Sequence, residues 1–137
     1  MQYRGFTRQA RKVMRIAERL AEKEQQLRMG SEYILAGLLQ ENDGVAGQIL
    51  QQLSVNCEEI LTLIHEISLP KTEEQVADGD FLTPESRAIV EEAYAVAERF
   101  DSELVGTEHL LFSIIEHRTS AAARMLLAMN INLGKVY

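Results

Sequence analysis

The stretch GSEYIL at residues 30–35 returns as GTEHLL at residues 106–111. The same offset of 76 residues also pairs identical residues far outside these two hexads, with no insertion between them. The pairs include Thr7 with Thr83, Arg11 with Arg87, Ala46 with Ala122, and Leu50 with Leu126. Self-similarity at a fixed period indicates a tandem duplication. Because apolar core positions tolerate drift between copies, a glutamate kept in both hexads calls for a separate explanation.

Composition limits the class of protein. A chain of 137 residues with 46% hydrophobic residues suits one compact folded domain rather than a disordered segment. The net charge of −7 argues against a nucleic-acid partner, which needs clustered Lys and Arg. No apolar run approaches the roughly 18 residues of a membrane helix, so we expect no membrane partner. Cys57 is the only cysteine, which excludes an internal disulfide and predicts a small apolar filler in a cytosolic protein.

Apolar residues recur at the three-and-four spacing of helices throughout the chain. The pattern predicts a helix from Thr7 to about Leu27, with the latter on its buried face. Three further helices follow in the first half, and the last ends before Pro70, since a residue preceding proline leaves the helical region. Thr83-Pro84-Glu85 then opens a second series as an N-cap, an N1 proline and a first-turn acid, with Phe100 on its buried face.

These helices and the lack of strand-like alternation predict an all-α fold of two pseudo-twofold-related four-helix repeats. We expect one domain over residues 1–137, with repeat one at about 6–67, a connector at about 68–80 and repeat two at about 81–137. The last helix of repeat two has barely begun when the sequence stops at Tyr137. This abrupt end predicts a fragment of a longer protein.

Motifs for catalysis, nucleotide binding and metal binding are missing from the sequence. The only Gly-Lys pair, Gly134-Lys135, lacks the other residues of a phosphate-binding loop. The histidines, His65, His109 and His117, lack the spacing of zinc or di-iron sites, which predicts surface or helix-end histidines. No nucleophile-elbow sequence is present. We therefore predict no catalytic residue, no metal and no cofactor in this chain.

The repeated Gly-[Ser/Thr]-Glu is the remaining candidate site. We expect Ser31 and Thr107 to be N-caps, which places Glu32 and Glu108 in first helical turns, beside free backbone N–H groups. One interpretation is simple helix stabilisation, as expected for Glu85. The other is a ligand site, because a carboxylate pairs with a guanidinium and a helix N-terminus holds an anion. An arginine phosphorylated on its guanidinium carries both charges, and two such sites would raise avidity.

With these residues and FTRQARKV at 6–13, the chain resembles the N-terminal double Clp-repeat domain of ring-forming AAA+ Clp unfoldases, most closely the ClpC type. The resemblance implies a non-catalytic domain that recruits adaptor proteins and substrates for unfolding and degradation by the ClpP peptidase. ATP is then expected only in ATPase modules outside this chain. It also implies a bacterial cytoplasm, in preference to a plastid stroma.

The family pattern in each repeat is Gly-Thr-Glu-His-[Ile/Leu]-Leu, and its ClpC-type members bind phosphoarginine marks there. By match of motif, the resemblance implies phosphoarginine or substrate binding by Ser31, Glu32, Thr107 and Glu108. The chain departs from the pattern at Tyr33, which replaces the histidine. It departs again at residues 112–113, where Phe-Ser replaces Leu-Gly, and in the turn at residues 116–120.

Two other functions stay open from the sequence. A stand-alone Clp-repeat protein could bind the Clp ATPase or protease from outside without an ATPase of its own. A small helical enzyme or metalloprotein is the third class, and it is distinguished by a stoichiometric metal or cofactor in the purified protein.

Overall fold

A computed structural model describes residues 3–41, 43–67 and 81–129 of the chain. These ranges contain seven helices and no strand: α1 Arg8–Lys23, α2 Ser31–Gln40, α3 Val45–Gln52, α4 Cys57–Ile67, α5 Pro84–Arg99, α6 Thr107–Glu116 and α7 Ala121–Ala128. The all-α prediction is confirmed. The predicted connector at about 68–80 and the predicted start of a last helix after residue 129 lie outside the described residues.

The first helix of each repeat begins as the sequence predicts. Thr7 Oγ1 accepts a hydrogen bond from Ala10 N–H, and Thr83 Oγ1 accepts one from Ser86 N–H, both at 3.1 Å. Each threonine thus satisfies one of the first-turn donors that lack an intrahelical acceptor. The two helix starts are therefore equivalent under the 76-residue offset.

Two predictions about the ends of these helices are wrong. Helix α1 ends at Lys23 rather than near Leu27, because Gln25 adopts a left-handed backbone with φ of 58°. Leu27 then lies in the following turn and is 44% exposed. Phe100 follows the last residue of α5 and is 58% exposed, although its spacing predicts a buried side chain. Periodicity extended past a helix end thus assigns the wrong face to both residues.

Two isolated bridges join the repeats in a reciprocal manner. Phe6 of repeat one pairs with Val105 of repeat two, and Leu82 of repeat two pairs with Met29 of repeat one. Thr7 N–H donates to the carbonyl of Val105 at 2.9 Å, and Thr83 N–H donates to that of Met29 at 3.1 Å. Since the two sets differ by 76 residues at every position, the repeats are related by a pseudo-twofold axis.

Helices α2 and α6 form the centre of one shared core. Their apolar side chains are almost fully buried, and the same cluster includes residues from α1, α3, α4, α5 and α7. The central members are Ile34, Leu35, Leu38, Leu110, Leu111 and Ile114. A repeat of this length buries too little apolar surface to fold well alone, so the shared core explains why the two halves form one unit.

The first two helices of each repeat contact each other through different residues in the two copies. A Cβ added to Gly37 would lie 2.6 Å from the carbonyl oxygen of Val13, so α1 and α2 approach closely there. The residue equivalent to Gly37 in repeat two is Ser113, whose hydroxyl donates to the carbonyl of Ile89 at 2.7 Å. Ile89 is the equivalent of Val13. Where repeat one has a glycine that allows close approach, repeat two therefore has a serine that forms a buried hydrogen bond to the neighbouring helix.

Gly37→Ala is expected to destabilise the domain by about 1–3 kcal/mol, because the new methyl group meets backbone that cannot move independently. The gain in helix propensity, at most about 1 kcal/mol, does not offset this. Ser113→Ala is the matched variant, since its Cβ already fits, and its expected cost is about 1 kcal/mol from the lost hydrogen bond. Urea denaturation measures both, and a Gly37→Ala protein as stable as wild type would refute the close approach.

Candidate functional site at two helix corners

The repeated hexads form two similar corners, at the starts of α2 and α6. The N-cap residues are Gly30 and Gly106, both with extended backbone. The prediction that Ser31 and Thr107 are N-caps is therefore wrong, and they are instead the first residues inside their helices. Hereafter the first corner denotes Gly30, Ser31 and Glu32, and the second corner denotes Gly106, Thr107 and Glu108.

The Ser31 hydroxyl bonds to the other repeat rather than to its own helix. It accepts a hydrogen bond from Ala122 N–H at 3.1 Å and donates one to Glu85 Oε2 at 2.6 Å. Glu85 Oε2 also accepts from Ala121 N–H at 3.2 Å, so it does more than stabilise its own helix. Ser31 is fully buried. Glu85 and Ser31 thus satisfy the first two amides of α7, and the bond from Ser31 crosses the boundary between the repeats.

Thr107 has the reciprocal role. Its Oγ1 accepts a hydrogen bond from Ala46 N–H, at the start of α3, at 3.2 Å. A Cβ on Gly44, the N-cap of α3, would lie 2.7 Å from this oxygen, so glycine permits the approach. Ala46 and Ala122 are repeat equivalents. Each buried hydroxyl therefore ties its corner to the third helix of the opposite repeat, and neither faces solvent.

The two glutamates occupy the second position of their helices and are partly exposed. Each carboxylate folds back over the N-cap glycine. A Cβ on Gly30 would lie 2.9 Å from Glu32 Cδ and closer still to Oε1, and a Cβ on Gly106 would lie 2.9 Å from Glu108 Cδ. The glycines have ordinary negative φ values, so they are needed for space rather than for backbone conformation. The repeated Gly-x-Glu spacing thus fixes where each carboxylate lies.

One first-turn amide at each corner has an acceptor in its own turn. Tyr33 N–H and His109 N–H donate to the carbonyls of Gly30 and Gly106, both at 3.1 Å. In the second corner, neither the Glu108 N–H nor its carboxylate bonds to another described residue. The positive end of the α6 dipole lies at the same place, so both the dipole and this amide favour an anion. A carboxylate and a helix end that favours an anion therefore lie side by side.

The surroundings of the second corner are aromatic. His109 is buried and its Nδ1 accepts from Gly106 N–H at 2.8 Å. The Phe100 ring stacks on the His109 ring at 6.3 Å between centroids and meets Phe112 edge-on at 5.5 Å. The Arg99 guanidinium lies 5.5 Å from the Phe112 ring centroid. The exposed Phe100 therefore contacts the His109 and Phe112 rings beside the second corner.

The residue that follows the first corner lines a cavity. Tyr33, the equivalent of His109, lines a cavity of about 320 Å³ together with side chains of α1 and α4. His65 Nδ1 and Glu24 Oε1 lie 2.7 Å apart at this cavity. The two corners therefore share their backbone and carboxylate geometry but differ in the side chains beside them.

Other candidate chemistry has little geometric support in the described ranges. No three residues among the described His, Cys, Asp and Glu are placed to hold a metal ion. All three histidines lie at helix ends, as predicted. Partial burial raises the pKa of the Cys57 thiol, which disfavours the reactive thiolate. Of the helices described, none has the length and apolar character needed to cross a membrane.

Comparison with known proteins places this geometry in a family. The family model for the Clp repeat (R) N-terminal domain matches residues 5–129. The chain is 30% identical over 135 residues to the negative regulator of genetic competence ClpC/MecB of Bacillus subtilis, covering 98% of this chain and 16% of that relative's length.

Solved structures share the fold. The N-terminal domain of the chaperone ClpD from Arabidopsis thaliana has a TM-score of 0.79 at 15% identity, covering 98% of this chain and 94% of that one. A complex of the ClpV N-domain with a VipB peptide has a TM-score of 0.74 at 14% identity, covering 98% and 83%. The chain belongs to the Clp repeat N-terminal domain family.

Proposed function

We propose that this chain is a non-catalytic domain that docks protein substrates and adaptor proteins for a Clp ATPase, and that its two corners bind phosphoarginine. The observation that carries the proposal is the repeated carboxylate folded over an N-cap glycine beside a helix N-terminus. One such corner could be helix stabilisation alone. Two corners with the same carboxylate placement but different neighbours argue for a shared ligand.

The proposed chemistry divides the ligand between two groups at each corner. The carboxylate of Glu32 or Glu108 pairs with the guanidinium through charge-assisted hydrogen bonds. The phosphoryl group lies at the helix N-terminus, where the dipole and the first-turn amides favour an anion. Ser31 and Thr107 act as positioning residues, because their buried hydroxyls are committed to the opposite repeat.

Family membership supports the docking role. In the ClpV complex, a domain of the same fold holds a peptide. The chain spans 16% of the length of the ClpC/MecB relative, so in this proposal ATP hydrolysis and any contact with the ClpP peptidase belong to other parts of a longer protein. A bacterial cytoplasm is the proposed compartment.

The test compares one model protein in two states. Casein phosphorylated on arginine and the same sample after phosphoarginine phosphatase treatment are passed over the immobilised domain. We expect retention of the phosphorylated sample only, and competition by free phosphoarginine but not by arginine or phosphoserine. Equal retention of both samples would refute recognition of the mark while leaving general docking intact.

The position of the two carboxylates can be changed while their charge is kept. In the double variant Gly30→Ala and Gly106→Ala, the new methyl groups overlap the glutamate side chains and push them away. We expect phosphoarginine affinity to fall about tenfold, the cost of losing about one charge-assisted hydrogen bond. Each alanine N-cap should cost less than about 1 kcal/mol of stability, which thermal unfolding checks. Unchanged affinity would mean that carboxylate placement is irrelevant.

A further inference from the structure

The outer face of α1 carries a groove whose charge is opposite to that of the chain. The groove has a volume of about 620 Å³ and is lined by Arg8, Gln9, Lys12, Arg15, Ile16, Arg19, Glu41 and Asp43. We propose that this cationic groove binds a short acidic peptide segment of a partner protein. The groove shares no residue with the two corners, and the proposal does not depend on phosphoarginine binding.

The acids in the groove leave most of its positive charge unmatched. Glu41 is 3% exposed, and its Oε2 lies 3.2 Å from Lys12 Nζ while its Oε1 accepts from Asp43 N–H at 2.9 Å. The buried carboxylate is thus matched by Lys12. The three arginines, Arg8, Arg15 and Arg19, form no ion pair with any residue in the described ranges. They are exposed, and apart from Glu41, which pairs with Lys12, the groove lining contains one acid, Asp43.

Repeat two shows that the fold does not require these charges. The positions equivalent to the four groove cations are Pro84, Ala88, Glu91 and Ala95. Helix α5 nevertheless packs on α6 as α1 packs on α2, with the same buried face. A row of cations on one helix of a chain with net charge −7 is therefore not needed for folding or solubility. It is a property of repeat one alone, as expected of a binding surface.

The dimensions favour a short peptide. The four cations stand at helical spacings that place them on one face, and Arg8 to Arg19 spans about 16 Å at 1.5 Å per residue. An extended peptide covers this length with about five residues. Ile16, partly buried between the cations, offers one apolar contact. The negative charge of the remaining surface opposes a long polyanion such as nucleic acid, which extends beyond the groove.

The test uses a fluorescein-labelled octapeptide, Glu-Asp-Leu-Glu-Glu-Leu-Asp-Glu, and its counterpart with every acid replaced by Gln or Asn. Fluorescence anisotropy is measured with the wild-type domain, with Arg15→Glu plus Arg19→Glu, and with Arg118→Glu plus Arg124→Glu. The last pair is exposed, lies in repeat two and changes the net charge equally. We expect binding of the acidic peptide only, weakened about tenfold or more by the groove variant and less than about twofold by the control.

Each other outcome overturns the proposal. Equal weakening by both variants would reveal a response to net charge alone. No binding of the acidic peptide by wild type would remove the site. An eight-nucleotide single-stranded DNA bound more tightly than the peptide, and lost in the groove variant, would assign the groove to nucleic acid. A wild-type dimer that the groove variant dissociates in sedimentation would assign it to a second copy of this chain.

Discussion

Replacing both Glu32 and Glu108 by glutamine is expected to weaken phosphoarginine binding by about 50-fold, measured by isothermal calorimetry. Glutamine keeps the size of the side chain but removes the charge that pairs with the guanidinium. A charge-assisted hydrogen bond contributes about 1.5–3 kcal/mol, and a 50-fold loss of affinity corresponds to about 2.3 kcal/mol, which lies within this range. Each single variant should retain one corner of near wild-type affinity, because the other carboxylate is unchanged.

The matched control is Glu58→Gln plus Glu59→Gln. These glutamates are also in a first helical turn, that of α4, and are exposed, so the change in net charge is the same and again falls at a helix N-terminus. Neither of these glutamates follows a glycine two residues earlier, so the Gly-x-Glu spacing of the corners is absent there. The control should bind as wild type does. If the corner variant also binds as wild type does, the glutamates only stabilise their own helices.

The second large effect is expected on stability, from Ser31→Ala combined with Thr107→Val. Removal of the two hydroxyls leaves the Ala122 and Ala46 amides without acceptors in buried positions. Each unsatisfied buried group costs about 1–3 kcal/mol, so the double variant should lose about 2–6 kcal/mol. Since small domains have about 5–15 kcal/mol in total, part of the protein should be unfolded at moderate urea concentrations.

Thr62→Val combined with Thr119→Val is the control for this experiment. Both hydroxyls are on exposed residues, one in each repeat, so their loss should change the free energy of unfolding by less than about 0.5 kcal/mol. Chemical denaturation followed by circular dichroism measures both double variants. Equal stability of the two proteins would show that the hydroxyls do not hold the repeats together.

Much of the fold follows from the sequence because the duplication and the helical periodicity are local signals. Helix starts such as Thr83-Pro84 depend on a few neighbouring residues, and the structure confirms them. The roles of Ser31 and Thr107 depend instead on residues 91 and 61 positions away along the chain. A hydroxyl next to a helix start looks like a cap in sequence, and only the docking of the repeats shows its true partner. The one available signal was that both copies keep a hydroxyl.

The environment of the site was less predictable than its position. Exposed cations on α1 fit the ordinary solvent face of an amphipathic helix, and the groove forms only when residues 41 and 43 fold beside them. The exposed Phe100 likewise finds its neighbours, His109 and Phe112, only after α5 and α6 pack. Spacing along a helix predicts which face a residue lies on, but it does not predict which residues of other elements pack against that face.

The most direct test of the two-corner proposal is a titration of the ¹⁵N-labelled domain with phosphoarginine, followed by two-dimensional NMR. We expect saturable shifts of the Glu32 and Glu108 amide signals, with small changes along the outer face of α1. Shifts confined to other surfaces, or no saturable change at either glutamate, would contradict the proposal.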